Sequence, residues 1–231
     1  MQKELVSVVI PTFNSAVYLA ESIESALSQT HKNIEVVVVS DGCTDSTPAL
    51  MSYYADRYKN VKYIYRKENR GISYTRNEGV RNASGLYIAV SDADDVMHPE
   101  RVEKSLKALK KAKVDVVYTS YMQADEHGKV LGGQDCCPSV TKENVLANNS
   151  APHVTILAKK ECFTENGYED WAKVNDDFIL LCKWYLAGYQ FAPIHEPLML
   201  VRYHSGSTSA TRDKEIKAVH KRGEGLLKDV K

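Results

Sequence analysis

Asp92, Asp94 and Asp95 follow directly on the apolar run Gly85-Leu86-Tyr87-Ile88-Ala89-Val90, with only Ser91 and Ala93 between. Three carboxylates within four residues repel one another, and a fold gains nothing in packing by placing them at a strand end. A hard divalent cation changes that balance. Mg²⁺ or Mn²⁺ is held by one or two carboxylates while substrate phosphates supply further oxygens. Alternation along an extended chain points Asp92 and Asp94 to the same side. The competing reading is an acidic loop that caps the next helix. Other polar groups also follow apolar runs: Pro11-Thr12-Phe13-Asn14, then Asp41-Gly42, then residues 67–71. Phe13 offers a ring face, and Asp41 offers an acceptor for a base N–H or a sugar hydroxyl. Each has a plainer role too. Asp41-Gly42 is a common turn dipeptide, Thr12 and Asn14 could cap a helix, and Arg76 could pair with Glu78 or Glu68 on a surface.

The elements that must position these groups alternate through the first half. Apolar, β-rich runs occupy 6–10 (stopped by Pro11), 34–39, 61–65, 86–90 and 114–118. Between them, helical spacing covers 16–28, 45–58, 72–83 and 99–111, with Pro48 tolerated in a first turn. Near-continuous apolar strands alternating with amphipathic helices predict an α/β fold, a mostly parallel sheet covered on both faces. In such sheets the ligand crevice lies beyond the carboxyl ends of the strands, where the polar groups gather. Helix N-termini there, with a cation, suit a diphosphate. The second half is less regular. It offers a turn at 127–129, a short strand at 129–131, a helix at 178–187 ended by Gly188, and a strand at 198–203. No Gly/Pro/Ser linker divides the halves. The expectation is one domain over 1–231, with a nucleotide-binding half at 1–120, a smaller acceptor-side region at 121–210 and a C-terminal helix at 211–231.

Thirty basic residues balance 30 acidic ones, which excludes a bulk-electrostatic nucleic-acid binder. The basic stretch 212–231 is expected to be a solvated helix face rather than a contact for a polar partner. The five cysteines form no CxxC pair, which argues against a zinc site or disulfide framework and fits a reducing cytoplasm. No N-terminal signal and no membrane span are expected.

The run Ser7-Val8-Val9-Ile10-Pro11-Thr12-Phe13-Asn14, then 25–30, then 34–45, then Asn69-Arg70-Gly71 with Arg76-Asn77, then 91–95, resembles family 2 glycosyltransferases of the GT-A fold. The likeness is strong over residues 5–120 and looser over 150–208. It implies a Rossmann-like sheet and sugar transfer from a nucleotide-diphospho-sugar, with UDP the usual nucleotide. By position it implies that Pro11, Thr12, Phe13 and Asn14 line the nucleoside pocket, and that Asp41 binds the nucleobase. Arg76 would sit near the base or phosphates. Asp92, beside Ala93, would face the ribose and metal-bound water, and Asp94 would ligate Mn²⁺ or Mg²⁺. Asp95 would cap the next helix.

The family also carries an acidic pair at a later helix start, usually Glu-Asp. Here Asn175-Asp176-Asp177 stands there, with Asp176 departing from the usual Glu; Asp177 aligns with the catalytic base. Two acids at a helix start also suit its dipole. Arg202-Tyr203-His204-Ser205-Gly206-Ser207 resembles the late loop whose histidine, here His204, helps hold metal or diphosphate. The implied partners are the donor and a glycan or lipid-linked acceptor, with a peripheral site at the inner membrane face or a homodimer left open. The implied role is cell-surface polysaccharide or glycan synthesis. Among rivals, a dinucleotide oxidoreductase needs GxGxxG after a strand, which Pro11-Thr12-Phe13-Asn14 is not. A nucleotidyltransferase needs a basic Gly-rich loop that is also missing. An inactive nucleotide-sugar-binding module remains as the alternative.

Overall fold

The computed structural model describes residues 4–147, 151–206 and 213–228, with the backbone alone for 213–215. The first half runs β1 (Val6–Thr12), α1 (Ala16–Leu27), β2 (Ile34–Asp41), α2 (Thr47–Arg57), β3 (Val61–Arg66), α3 (Ile72–Asn82) and β4 (Tyr87–Val90). Then come β5 (Val96–Met97), α4 (Arg101–Ala112), β6 (Val116–Ala124), β7 (Val130–Gln134) and α5 (Lys142–Leu146). A 3₁₀ turn (His153–Thr155), β8 (Leu157–Lys159), α6 (Lys160–Glu165), α7 (Asp176–Leu186), β9 (Phe191–Arg202) and α8 (Asp213–Leu226) complete the chain.

The strands form one sheet in the order β3-β2-β1-β4-β8-β6-β9-β5, with β7 paired to β6. Strands β1 to β4 are mutually parallel, as the alternation of strand and helix requires. Both faces of β1, β2 and β4 are buried, with alternate residues going to opposite layers, while edge strand β3 is only partly covered. Val6, Val8, Ile10, Val36, Val38 and Ala89 pack with α1, α2 and α4. Val9, Val37, Val39, Ile88 and Val90 pack with α3, α6, α7 and α8. This is why the runs read as continuously apolar.

Two strand expectations need correction. β1 does not stop at Pro11 but runs to Thr12, in register with Ser40. Val9 O accepts from Ser91 N on the β4 side. Pro11, two residues on, points the same way, where β4 has already ended, so its missing N–H breaks no ladder bond. The fifth strand also does not join β4. Short β8 lies between β4 and β6, antiparallel to both. It is only three residues long, Leu157-Ala158-Lys159, with two of them apolar, too short to register as a strand signal. The expected strands at 114–118 and 198–203 overlap the longer β6, which starts only at Val116, and β9, which ends at Arg202; the two pair in parallel. β5, α5 and α6 have no counterpart in the expected elements.

The C-terminal helix is not simply solvated. Val219 and Leu227 are buried, and Phe178 of α7 stacks on His220 with ring centroids 4.0 Å apart. A Cβ on Gly223 would run into the Phe178 ring, so glycine there sets how closely α8 approaches α7. Among the described residues no helix is long and apolar enough to cross a membrane. All five cysteines are free thiols.

Candidate active site

The carboxyl ends of β1 and β2 and the start of α3 enclose one wall of a cleft of about 940 Å³. Pro11, Thr12, Phe13, Asp41, Asn69, Gly71, Ile72 and Thr75 line this wall. Phe13 is half exposed, an unusual position for a large apolar ring. Asp41 is buried, and its two oxygens accept from Arg70 N at 2.9 Å and Gly71 N at 2.8 Å. Gly71 is the N-cap of α3 but has no side chain to cap it, and its φ of 92° suits glycine. Asp41 therefore caps α3 from the neighbouring strand, and its carboxylate is oriented before any ligand arrives. Asn14 is placed elsewhere. Its Oδ1 accepts from Thr44 N at 2.7 Å and Asp45 N at 3.3 Å, so it ties the β2–α2 loop and does not line the cleft.

The acidic loop after β4 is a turn, with Asp95 N donating to Asp92 O. The alternation expected of an extended chain does not apply, and Asp92 and Asp94 take different partners. Asp92 accepts from Arg76 Nη2 at 2.9 Å and 3.2 Å. Asp94 Oδ2 lies 2.9 Å from His204 Nε2. Ala93 between them is buried. Asp95 does not cap α4, whose N-cap is Glu100; it accepts from Arg202 N at 3.0 Å. Burial, then the Asp94 and Asp92 charges, push the Asp95 carboxyl well above the usual range. Burial and Asp92 raise Asp94, with His204 opposing.

Arg202 holds this corner together. Its guanidinium donates to Asp94 O, Glu126 O and Glu21 Oε2, linking the acidic loop to the β6–β7 turn and to α1. His204, two residues on, is thereby carried to Asp94, and its ring lies 4.9 Å from that of Tyr18. The Asp94–His204 pair fits a hard divalent cation as a carboxylate and an imidazole ligand. Among the described residues no three His, Cys, Asp or Glu side chains converge to hold an ion. A Mg²⁺ or Mn²⁺ held there would need further oxygen ligands from water and substrate phosphate. Ser207, the last residue of the expected loop, lies outside the described residues.

Arg76 does not lie on the surface and pairs with neither Glu68 nor Glu78; Glu78 is taken by Arg66. Nor does it line the cleft. It is buried between the acidic loop and α7, donating through Nη1 to both oxygens of Asp176 at 2.7 Å and 2.8 Å, and through Nη2 to Asp92. Burial alone would lower its pKa, but the Asp176 and Asp92 carboxylates outweigh that and keep it charged. Asp177, the next residue of α7, has no ion-pair partner among the described residues. Phe178 N donates to its Oδ1 at 2.9 Å. Burial and the adjacent Asp176 raise its pKa to about 6, against the opposing pull of Arg76. Tyr168 lies under Arg76, 5.6 Å from ring centroid to guanidinium, and its hydroxyl meets buried His153 at 2.7 Å.

The second wall of the cleft escaped the sequence reading. Trp171, Lys173 and Val174 come from the loop before α7, and Ala218, Val219 and Arg222 from α8. Residues 219, 223 and 227, small or apolar at helical spacing in a basic stretch, were the available sign that α8 packs. Trp171 carried no such signal.

The family model for glycosyl transferase family 2 matches residues 7–161. A glycosyltransferase named GlyG from Streptococcus pneumoniae is 29% identical over 223 residues, 90% of this chain and 74% of its own. An uncharacterized glycosyltransferase of Rickettsia prowazekii is 31% identical over 233 residues, 97% of this chain and 72% of its own. Among solved structures, Staphylococcus aureus TarS in complex with UDP-GlcNAc superimposes with a TM-score of 0.80 at 20% identity, covering 97% of this chain and 66% of that one. The mannosyltransferase PcManGT of Pyrobaculum calidifontis, with GDP-Man and Mn²⁺, gives 0.73 at 20% identity, covering 98% and 65%. The chain thus spans just under two thirds of these solved chains and nearly three quarters of the two relatives.

Proposed function

The chain belongs to glycosyl transferase family 2, and from that premise we propose that it moves a sugar from a UDP-sugar to an acceptor hydroxyl with inversion, using Asp177 as base. The observation that carries this reading is the unequal treatment of the two acids opening α7. Asp176 is locked by both contacts from Arg76, whereas Asp177 is half-buried, has no ion-pair partner among the described residues, and is pushed up to about 6 by burial and the adjacent Asp176. Such a carboxylate is ionised near neutral pH yet basic enough to accept a proton. Through Arg76 and Asp92 it is tied to the loop that carries Asp94, so the base and the donor-phosphate corner are held in one framework.

The donor's base and ribose occupy the cleft beside Asp41, Thr12 and Phe13, and its diphosphate extends toward Asp94 and His204. A Mn²⁺ or Mg²⁺ held by Asp94 and His204 would supply positive charge for the departing diphosphate. Asp177 removes the acceptor proton as the acceptor oxygen bonds to the anomeric carbon and the sugar–phosphate bond breaks on the opposite side. The GT2 relatives and a fold shared with UDP-GlcNAc-bound and GDP-Man-bound proteins support a nucleotide-sugar donor. The acceptor is proposed to be a glycan or lipid-linked glycan.

The test is a panel of UDP-, GDP- and dTDP-sugars with Mn²⁺, scored by nucleoside diphosphate release, in the wild type and in Asp177→Asn. The expected result is UDP release by the wild type, and loss of turnover with retained UDP binding in the variant. Undiminished turnover in Asp177→Asn overturns the assignment of the base. UDP binding without turnover on any sugar or acceptor points to the binding-module alternative.

A further inference from the structure

The cleft has a second wall that no motif of the family reading covers, and its chemistry is specific. Trp171 and Arg222 come from parts of the chain 51 positions apart, yet the Arg222 guanidinium lies over the indole, 3.9 Å from its centroid. The indole is fixed at its edge as well, with Nε1 donating to Glu169 Oε2 at 3.2 Å. Glu169 is in turn held by Lys183 of α7 at 2.7 Å. The loop is fastened to the first wall where Ser73 Oγ of α3 donates to Ala172 O. Lys173 packs its stem near Gly71 and has no ion-pair partner among the described residues. On the other side, the Phe178–His220 stack and the close approach at Gly223 set α8 in place.

The indole is 37% exposed, lines the cleft, and is held in one orientation by its edge hydrogen bond and by the cation over its face, so it presents a fixed aromatic surface to a ligand in the cleft. The two walls together offer aromatic planes from Phe13 and Trp171, a carboxylate acceptor from Asp41, and cationic donors from Arg222 and Lys173. A pyrimidine base with two carbonyl oxygens and one N–H between them presents the complementary set, a π face, two acceptors and one donor. Aromatic and guanidinium planes are the surfaces on which proteins stack unpaired bases.

We propose that Trp171 and Arg222 form the second face of the nucleobase site, so that α8 is a donor-binding and base-selecting element. This rests on the donor reading above and adds to it the residues that grip the base from the second half of the chain. Neither residue touches the reacting atoms. Both act on donor affinity and base choice.

The chain has two tryptophans, and Trp184 is completely buried, so ligand-induced change in indole emission reports on Trp171. UDP is titrated with Mn²⁺ into the wild type, Trp171→Ala, Trp171→Phe and Arg222→Ala, followed by calorimetry and by emission, with thermal melts as a folding control. The expected result is an emission change in the wild type at the calorimetric midpoint. UDP affinity should fall about five- to 150-fold in Trp171→Ala, the range for removing an aromatic that stacks on a base. Trp171→Phe should recover most of it, and Arg222→Ala should bind at least about threefold more weakly with an unchanged melt. Wild-type UDP binding with steady emission and equal affinity in both alanine variants overturns this inference alone. No UDP binding by the wild type overturns the donor reading and this inference with it.

Discussion

Arg76→Met removes the one cation between two carboxylates. The Arg76 and Asp176 side chains are 8% and 5% exposed, so the variant leaves Asp176 ionised in a nearly dry site. Asp92, at 30% exposed, is partly solvated and loses less. Removing one partner of a buried pair costs about 3–5 kcal/mol. At roughly 2–4 °C per kcal/mol for a domain of this size, the melting temperature should drop by about 6–20 °C. The double variant Arg76→Met, Asp176→Leu removes the stranded charge and should regain most of that loss, since two apolar residues of similar volume often match a buried pair. Urea or thermal unfolding of both variants at neutral pH measures this. A loss under about 1 kcal/mol in Arg76→Met, or a double variant no more stable than the single, refutes the reasoning. The same substitution removes the positive charge that lowers the Asp177 pKa, so any residual activity should show its acid limb above the wild-type value of about 6.

Transfer by the wild type should fall as pH drops through about 6, because protonated Asp177 cannot accept a proton; a pH profile of kcat/KM checks this. Asp177 has a folded-state pKa raised from 3.8 to about 6, so the folded state binds the extra proton between those values: stability falls as pH rises through that window, and the full cost is present above about 6 and absent below about 3.8. Asp177→Asn should therefore raise the melting temperature at pH 8 by the equivalent of up to about 3 kcal/mol, and by little at pH 4. Asp94→Ala and His204→Ala should each abolish the extra thermal stabilisation that Mn²⁺ adds to UDP; full retention in both would move the ion elsewhere. Asp41→Ala uncaps α3 and should cost about 0.5–2 kcal/mol in unfolding, with weaker UDP binding by calorimetry.

The parallel half was legible because β1, β2 and β4 are buried on both faces and the intervening helices show their periodicity. The polar groups at strand ends followed from the rule that crevices form there, and Asp41, Thr12 and Phe13 do line one cleft. Partners were less legible than positions. Arg76 sits on a helix where a surface ion pair is the ordinary expectation, and nothing in its spacing tells of Asp176, 100 residues away. Asp95 sits near a helix start, but the pairing of β9 with β5 brings Arg202 N to it instead. Local sequence cannot show such contacts, because they depend on which strand inserts where. β8 was invisible for the same reason, since three residues have no period. The cleft's second wall depends on α8 folding back over α7, a tertiary event signalled only weakly by Val219, Gly223 and Leu227.

The most direct measurement is an anomalous difference map from crystals grown with UDP and Mn²⁺. The account predicts a manganese peak at bonding distance from Asp94 and His204, shared with UDP phosphate oxygens, and uracil in the cleft beside Asp41. Manganese at another site, or UDP bound away from Asp41 and Phe13, would contradict it.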